Sequence, residues 1–367
     1  MSKKSRKKRA QKSRERSKSR QHQRPPSSRW PWWAAVVLAI LAGVVGLWWM
    51  QGQRDAPAAS SAPAPSEVAA ASPQPTPEPA PPPNIGPVTH CVHRPAFVSQ
   101  LDMGDQIYIG TNLRGYQGLT LSARQPDGSV IVYQHPSWDD AGNLAAYVLD
   151  KDGNVYVAPA PFVSLDLNPP QEQNNIYKVD TNTGVMSFFM KLPWARPPDT
   201  SNPFGIMGLT YDCDTNSLYA SSVAGSTYDE EVGRIFQIDL DAVQIADQLE
   251  GVDAFGLGVY RGMQGKRLYF GSARNSGIRS VALADDGGLE QEQRMEFYLL
   301  QAPGGQDERA KKIQFPAKDE MLVKGIEFNY TMRAASDFVE HDYVYRYDPA
   351  TDAWDFENVR LRKGIAE

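Results

Sequence analysis

The sequence predicts an all-β protein, a β-propeller of four-stranded blades, five or six in number, preceded by one transmembrane helix and a disordered linker. The first supporting observation is a repeated phrase. Tyr147-Val-Leu-Asp-Lys-Asp-Gly-Asn-Val-Tyr-Val157 returns as Leu209-Thr-Tyr-Asp-Cys-Asp-Thr-Asn-Ser-Leu-Tyr-Ala220, and in weaker form as Leu257-Gly-Val-Tyr-Arg-Gly-Met-Gln-Gly-Lys-Arg-Leu-Tyr-Phe270. Each copy is an apolar run, a turn of Asp, Asn or Gly, and a second apolar run. The second observation is a strand-like phrase that follows the repeat: Ile176-Tyr-Lys-Val-Asp180, Ile235-Phe-Gln-Ile-Asp239 and Val344-Tyr-Arg-Tyr-Asp348. Strands alone, repeating every ~45–60 residues, are the mark of radial repetition. The third is a division of charge. Residues 1–30 hold 13 Lys/Arg and one acid, a net +12, whereas the remainder holds 25 bases and 42 acids, a net −17. A basic tail is joined to an acidic domain.

The tail ends where an apolar span begins. Residues 31–50 carry no charge, and the 19 residues from Trp32 to Met50 reach about 28 Å as a helix, enough to cross a bilayer core. Trp30, Trp32 and Trp33 lie at one end and Trp48 and Trp49 at the other, where indoles favour the two interfaces. The run is long for a signal peptide, and no small-x-small cleavage site follows it directly, so the span reads as an uncleaved anchor. The preceding bases place the N-terminus in the cytoplasm and the rest outside, as in a bacterial inner-membrane protein with a periplasmic domain. Anionic lipid is the expected partner of the tail, and nucleic acid is not.

Residues 51–88 are mostly Pro, Ala and Ser. They cannot form a core and read as an extended stalk of up to roughly 100 Å. The folded domain is expected over 89–362. Cys91 and Cys213, the only cysteines, both fall in it, and an oxidising compartment permits a disulfide between them. His90, Cys91 and His93 also crowd three metal-ligating types into four positions, with no fourth ligand at a workable spacing.

Five units of four strands follow. Unit one spans about 95–137, with strands near 97–101, 106–111, 118–124 and 129–134. The others span about 144–192, 205–249, 254–300 and 312–361. Short turns such as Asp150–Asn154, Asp212–Asn216 and Asp180–Gly184 join strands one to two and three to four. Asp212-x-Asp-x-Asn216 has the look of a calcium loop but lacks its Gly and its distant Glu, so it reads as a hairpin. The longer connections, strand two to three and blade to blade, all emerge on the opposite face. Function is expected there, on loops held by a rigid scaffold.

Pro203-Phe-Gly-Ile-Met-Gly-Leu-Thr-Tyr-Asp-Cys-Asp-Thr-Asn-Ser-Leu-Tyr-Ala220, followed by Gly233-Arg-Ile-Phe-Gln-Ile-Asp239, resembles an NHL-type propeller blade and the blades of gluconolactonase-like propellers. Those families usually have six blades. The lactonase-like resemblance implies a calcium ion held over the central channel by oxygen ligands, and the matching positions are Asn143, Asn202 and Asp253, each just before an innermost strand. Unit one offers no matching Glu, and Lys311-Lys312 stand at the corresponding place in unit five. A second group is acidic and aromatic: Trp138, Asp139, Trp194, Tyr228, Asp229, Glu230, Glu231, Asp337, Glu340 and His341. Such a rim suits a protein or glycan partner of the cell envelope. No serine-nucleophile motif, phosphate-binding loop or zinc-protease motif is present. The expected function is therefore a membrane-anchored binding module without a cofactor; the alternative is a calcium-dependent lactonase-like hydrolase.

Overall fold

The computed structural model describes residues 84–362 apart from 105, 112–114, 161–164, 198–200 and 331–339. The basic tail, the apolar span at 31–50 and the stalk up to residue 83 lie outside the described residues. No helix among the described residues is long and apolar enough to cross a membrane.

Among the described residues, twenty strands build five blades. A short strand β1 (Gly86–Pro87) comes first. Blade one contains β2 (Ile107–Thr111), β3 (Leu119–Arg124) and β4 (Val130–Tyr133). Blade two contains β5 (Leu144–Leu149), β6 (Val155–Pro159), β7 (Asn175–Val179) and β8 (Met186–Lys191). Blade three contains β9 (Ile206–Asp212), β10 (Ser217–Ser222), β11 (Arg234–Asp239) and β12 (Gln244–Glu250). Blade four contains β13 (Ala254–Gly262), β14 (Gly265–Ser272), β15 (Gly277–Leu283) and β16 (Leu289–Tyr298). Blade five contains β17 (Arg309–Ala317), β18 (Glu320–Ile326), β19 (Glu340–Asp348) and β20 (Ala353–Arg362). Within each blade the strands pair antiparallel in chain order. The blade-to-blade and second-to-third connections therefore share one face, as expected.

Side chains alternate across each sheet, so a blade can bury one set against each neighbour. Leu121, Trp138 and Val157 lie in an apolar cluster joining blades one and two. Ile176, Leu218 and Phe236 join two to three; Tyr219, Leu257 and Leu268 join three to four; Tyr260, Ile313 and Val323 join four to five. Each such side chain, fully buried, contributes about 1.5–3 kcal/mol relative to exposure.

The tight turns are held as hairpins. The Asp150 carboxylate accepts from the backbone N–H of Asp152 (2.9 Å) and Asn154 (2.8 Å). Asp212 accepts from the Asp214 N–H and from Lys266 Nζ at 2.5 Å, and Asp214 pairs with Arg261 at 2.5 Å. Two basic side chains of blade four thus occupy the carboxylates that resembled a calcium loop.

Blade one departs from the expectation of four strands. Residues 97–101 do not form a strand; Ala96–Gln100 is a 3-10 turn after Pro95, with Ser99 Oγ donating back to Ala96 O at 2.8 Å. The cause is the path of the chain. Gly86 and Pro87 pair with Arg261 and Tyr260 at the turn end of β13. Cys213 N donates to Val88 O (3.1 Å), and Cys91 and Cys213 form a disulfide with Cα atoms 5.8 Å apart. His93 N then reaches Asp150 O (3.5 Å), Phe97 N reaches Thr181 O (2.8 Å), and Gln125 Nε2 donates to Met103 O (3.2 Å). Residues 84–104 are a strap across the turn face, from blade four to blade one. An innermost strand runs from the loop face to the turn face. This chain arrives at the turn face, so its first upward strand is the second of the blade. Ordered pairing also begins at Gly86, ahead of the expected bound at 89.

The disulfide closes a sequence separation of 122 residues. Reduction, or Cys213→Ser, should lower stability by up to about 4–5 kcal/mol in the chain-entropy account. Urea midpoints with and without a thiol reductant measure this, and blades three and four should keep their strand signal while the strap loosens.

Candidate functional site on the loop face

The loops of this face are fixed by residues at or shortly ahead of the starts of the innermost strands. Asn143 precedes β5; its backbone N–H donates to Asn168 Oδ1 (2.8 Å), and Asn168 Nδ2 returns to Asn143 O (3.2 Å). Asn202 lies ahead of β9, where its Nδ2 donates to Val223 O (2.8 Å) and Ser226 O (2.9 Å). Asp253 precedes β13 and is 1% exposed. Its Oδ1 accepts from Gly233 N (2.9 Å) and from Ser226 Oγ. Its Oδ2 accepts from Arg274 Nε (2.8 Å) and Tyr330 OH (2.5 Å). Glu308, ahead of β17 and 3% exposed, accepts from His341 Nδ1 (2.8 Å) and Tyr343 OH (2.7 Å). Burial, then the Asp253 charge, raises the Tyr330 phenol pKa well above its ordinary value.

The three positions proposed for calcium are thus joined only in part. Asn202 and Asp253 share Ser226, while Asn143 is tied into its own blade's loop. Both carboxylate oxygens of Asp253 carry two protein donors each, one of them a guanidinium. Around the long-loop ends of β9, β13 and β18, Phe328 packs 5.1 Å from Phe204 and 4.9 Å from Phe255, with Val223, Ala273 and Tyr330 completing the cluster. No group of three or more His, Cys, Asp or Glu side chains placed to hold a metal lies among the described residues.

Arg274 organises the rim. Beyond Asp253, its Nη1 and Nη2 donate to Tyr228 O (2.9 Å) and Thr227 O (2.8 Å), and Glu231 lies 3.7 Å from its Nε. Thr227 N donates to Glu230 O (2.9 Å), Glu230 N donates to Thr227 Oγ1 (3.1 Å), and Glu230 pairs with Arg196 of the neighbouring loop. Held on this turn, Tyr228 is 85% exposed. Asp229 and Asp139 are also exposed.

The other rim residues have internal partners. Glu231 Oε1 accepts from Asp253 N (2.8 Å), and Glu340 is shared by Lys311 and Arg362 at 3.3 Å each. Trp194 is half-buried beneath Lys191 Nζ, 4.5 Å from its ring centroid. Trp138 is a correction: it is fully buried, donates to Gly184 O (2.8 Å) and packs edge-on against Phe97 and Tyr133, so it serves the core and no surface partner. Asp337 lies outside the described residues. Arg274, Ser226, Tyr330 and Glu308 were missed. The signal for Glu308 is its place directly before an innermost strand, which begins at Arg309 and not at the expected 312. Arg274 had none beyond being the one base in the short 273–276 connection.

No protein-family model matches the chain, and no curated protein matches its sequence. Solved structures of similar shape include a GH43 β-1,3-galactosidase (9% identity, 76% of this chain and 63% of that one, TM-score 0.43). Another is the exo-β-1,3-galactanase of Phanerochaete chrysosporium (9%, 70% and 61%, TM-score 0.42). A glucose dehydrogenase is a third (12%, 60% and 72%, TM-score 0.36).

Asp253→Ala should cost roughly 3–5 kcal/mol, because it leaves the partly buried Arg274 without its carboxylate. Added calcium should restore none of that loss. Chemical denaturation of the variant, with calcium or chelator, measures both; a loss below ~1 kcal/mol would mean that Asp253 is not the anchor of the rim.

Proposed function

We propose that the protein is a membrane-anchored binding module whose propeller is displayed outside the cytoplasmic membrane. The observation that carries this reading is the Thr227–Glu230 turn. It presents Tyr228 almost fully to solvent while Arg274 and Arg196 fix its backbone and flank. An exposed aromatic on a rigid turn loses little conformational freedom on binding, the condition under which a single aromatic anchor gives useful affinity. Asp229 and Asp139 add negative charge and favour a partner with basic or hydroxyl-rich groups, a protein or an envelope glycan. The disulfide supports an oxidising compartment, and the basic tail and apolar span in the sequence support the anchor.

The lactonase-like alternative, with calcium as its cofactor, draws on the resemblance of blades two and three. Against it stand the Asp253–Arg274 pair and the engaged side-chain amide of Asn202, whose Oδ1 accepts from Phe204 N (3.1 Å). The two readings separate by experiment. A photo-crosslinking side chain at 228 should give adducts in intact envelopes, whereas one at Val243, exposed on the turn face, should not. Tyr228→Ala should weaken that partner's binding roughly thirtyfold, the scale of a ~2 kcal/mol anchor, with the melting temperature unchanged. A saturable, calcium-dependent rise in melting temperature would instead favour the hydrolase.

A further inference from the structure

The junction of blades five and one differs from the other four. No apolar cluster joins these two blades among the described residues. Ile313, Val323 and Tyr343 face blade four. Their neighbours Lys312, Lys324 and Asp342, aligned across the ladder of β17, β18 and β19, therefore face the other way, toward blade one. Leu119, Leu121 and Ala123 pack against blade two, so the small polar Thr120 and Ser122 face the junction from the opposite side.

Lys312 and Lys324 are directly opposed Cα partners. Like charges in that position repel. Neither has a carboxylate within ion-pair distance among the described residues: Glu340 is taken by Lys311 and Arg362, and Asp342, the Cα partner of Lys324 on β19, lies 3.9 Å from Arg362 with its buried Oδ1 unpartnered. Lys311, Lys312, Lys324 and Arg362 against Glu340 and Asp342 leave two positive charges in excess. Asp342 faces Lys324 from β19, so Lys312 is the less compensated of the pair.

Lys312 is half-buried, with Nζ 4.9 Å from the centroid of the Tyr147 ring on blade two. Tyr147 in turn donates to Ile109 O at 2.9 Å. Blade five reaches blade two here because, among the described residues, blade one has no innermost strand between them. A ring face attracts an ammonium without accepting its hydrogen bonds in the manner of a carboxylate, so the N–H donors of Lys312 stay available. Burial, then Lys324, Lys311 and Arg362, pulls its pKa down to about 8. Two opposed lysines without an ion-paired carboxylate, Lys312 the more withdrawn from water, are costly unless something offsets them.

We propose that this junction is an oxyanion site, in which Lys312 and Lys324 together bind a sulfate, phosphate or carboxylate group at the position left by the missing strand. The site is independent of the rim around Tyr228. Full-length protein in detergent, titrated calorimetrically at constant ionic strength, tests it with inorganic sulfate, inorganic phosphate and acetate as separate probes. The arms distinguish tetrahedral from planar oxyanions. At least one probe should bind saturably at pH 7, Lys312→Met should weaken it roughly tenfold or more, and Lys311→Gln should not.

The pH dependence has a definite sign. Lys312 loses its proton as pH rises through about 8, so sulfate, whose own charge is constant in this range, should bind more weakly at pH 9. Without an anion, the folded pKa lies below the unfolded one. The destabilisation is then fully present below pH 8 and relieved toward the unfolded value, so Lys312→Met should melt higher than the parent at pH 7. If Lys312→Met does not melt cooperatively, Lys324→Met and the pH 9 titration of the parent decide. No saturable binding by any probe, or binding unchanged in Lys312→Met, overturns the proposal.

Discussion

The entry of the chain on the turn face constrains the rest of the ring. Strap residues 84–104 touch blade four through a two-residue strand, blade three through a disulfide, and blades two and one through backbone and side-chain hydrogen bonds. Its apolar side chains enter the blade clusters as well: Val88 between blades three and four, Phe97, Val98 and Met103 between one and two. The strap is therefore part of the core. Among the described residues blade one lacks an innermost strand, and there Lys312 of blade five reaches Tyr147 of blade two. A cation–π contact of that kind gives about 0.5–2 kcal/mol, less than the burial of two large apolar side chains. The junction of blades five and one is held differently from its four counterparts.

The loop face shows a second economy. Asn143, Asp253 and Glu308 stand directly before innermost strands, Asn202 three residues ahead of the equivalent Gly205, and each ties down an irregular connection near the start of a strand. In an exposed loop such groups would be solvated. Here they are buried; the side chains of Asn202, Asp253 and Glu308 bond to the backbone, a hydroxyl, a ring nitrogen or a guanidinium, whereas Asn143 is held through its backbone N–H and C=O and its buried Nδ2 has no partner. Residues of the type and position that resembled a cation site thus do the work of loop anchors. The exposed chemistry is pushed outward, to Tyr228 and Asp229, which the anchors hold in place.

Much of this was legible in the sequence. The blades, their turns and the division into two faces follow from local signals: the period of two, and the Asp, Asn and Gly of the hairpins. Asp150 and Asp212 behave as those signals implied. What escaped is set by tertiary structure. Residues 97–101 have an apolar pattern fit for a strand, and only the chain's approach from the turn face denies them the position. Trp138, aromatic and flanked by Asp139 and Asp140, looks like a surface contact in sequence; its indole N–H finds Gly184 O, 46 residues away, and that pairing has no local trace. The guanidinium that claims Asp253 likewise comes from the next connection of the blade, beyond the reach of any residue pattern.

The strap also sets an order of assembly. Gly86 has no partner until Arg261 has been made, and Cys91 has none until Cys213 has. At roughly 5–20 residues per second, the interval between the two ends of the Gly86–Arg261 pair is about 10–35 s, during which blades one to three can form while the strap waits with Val88 uncovered. With two cysteines in the chain, a waiting Cys91 cannot choose a wrong intramolecular partner. The only error open to it is a bond to another molecule, and the arrival of blade three removes that opportunity before the ring is complete.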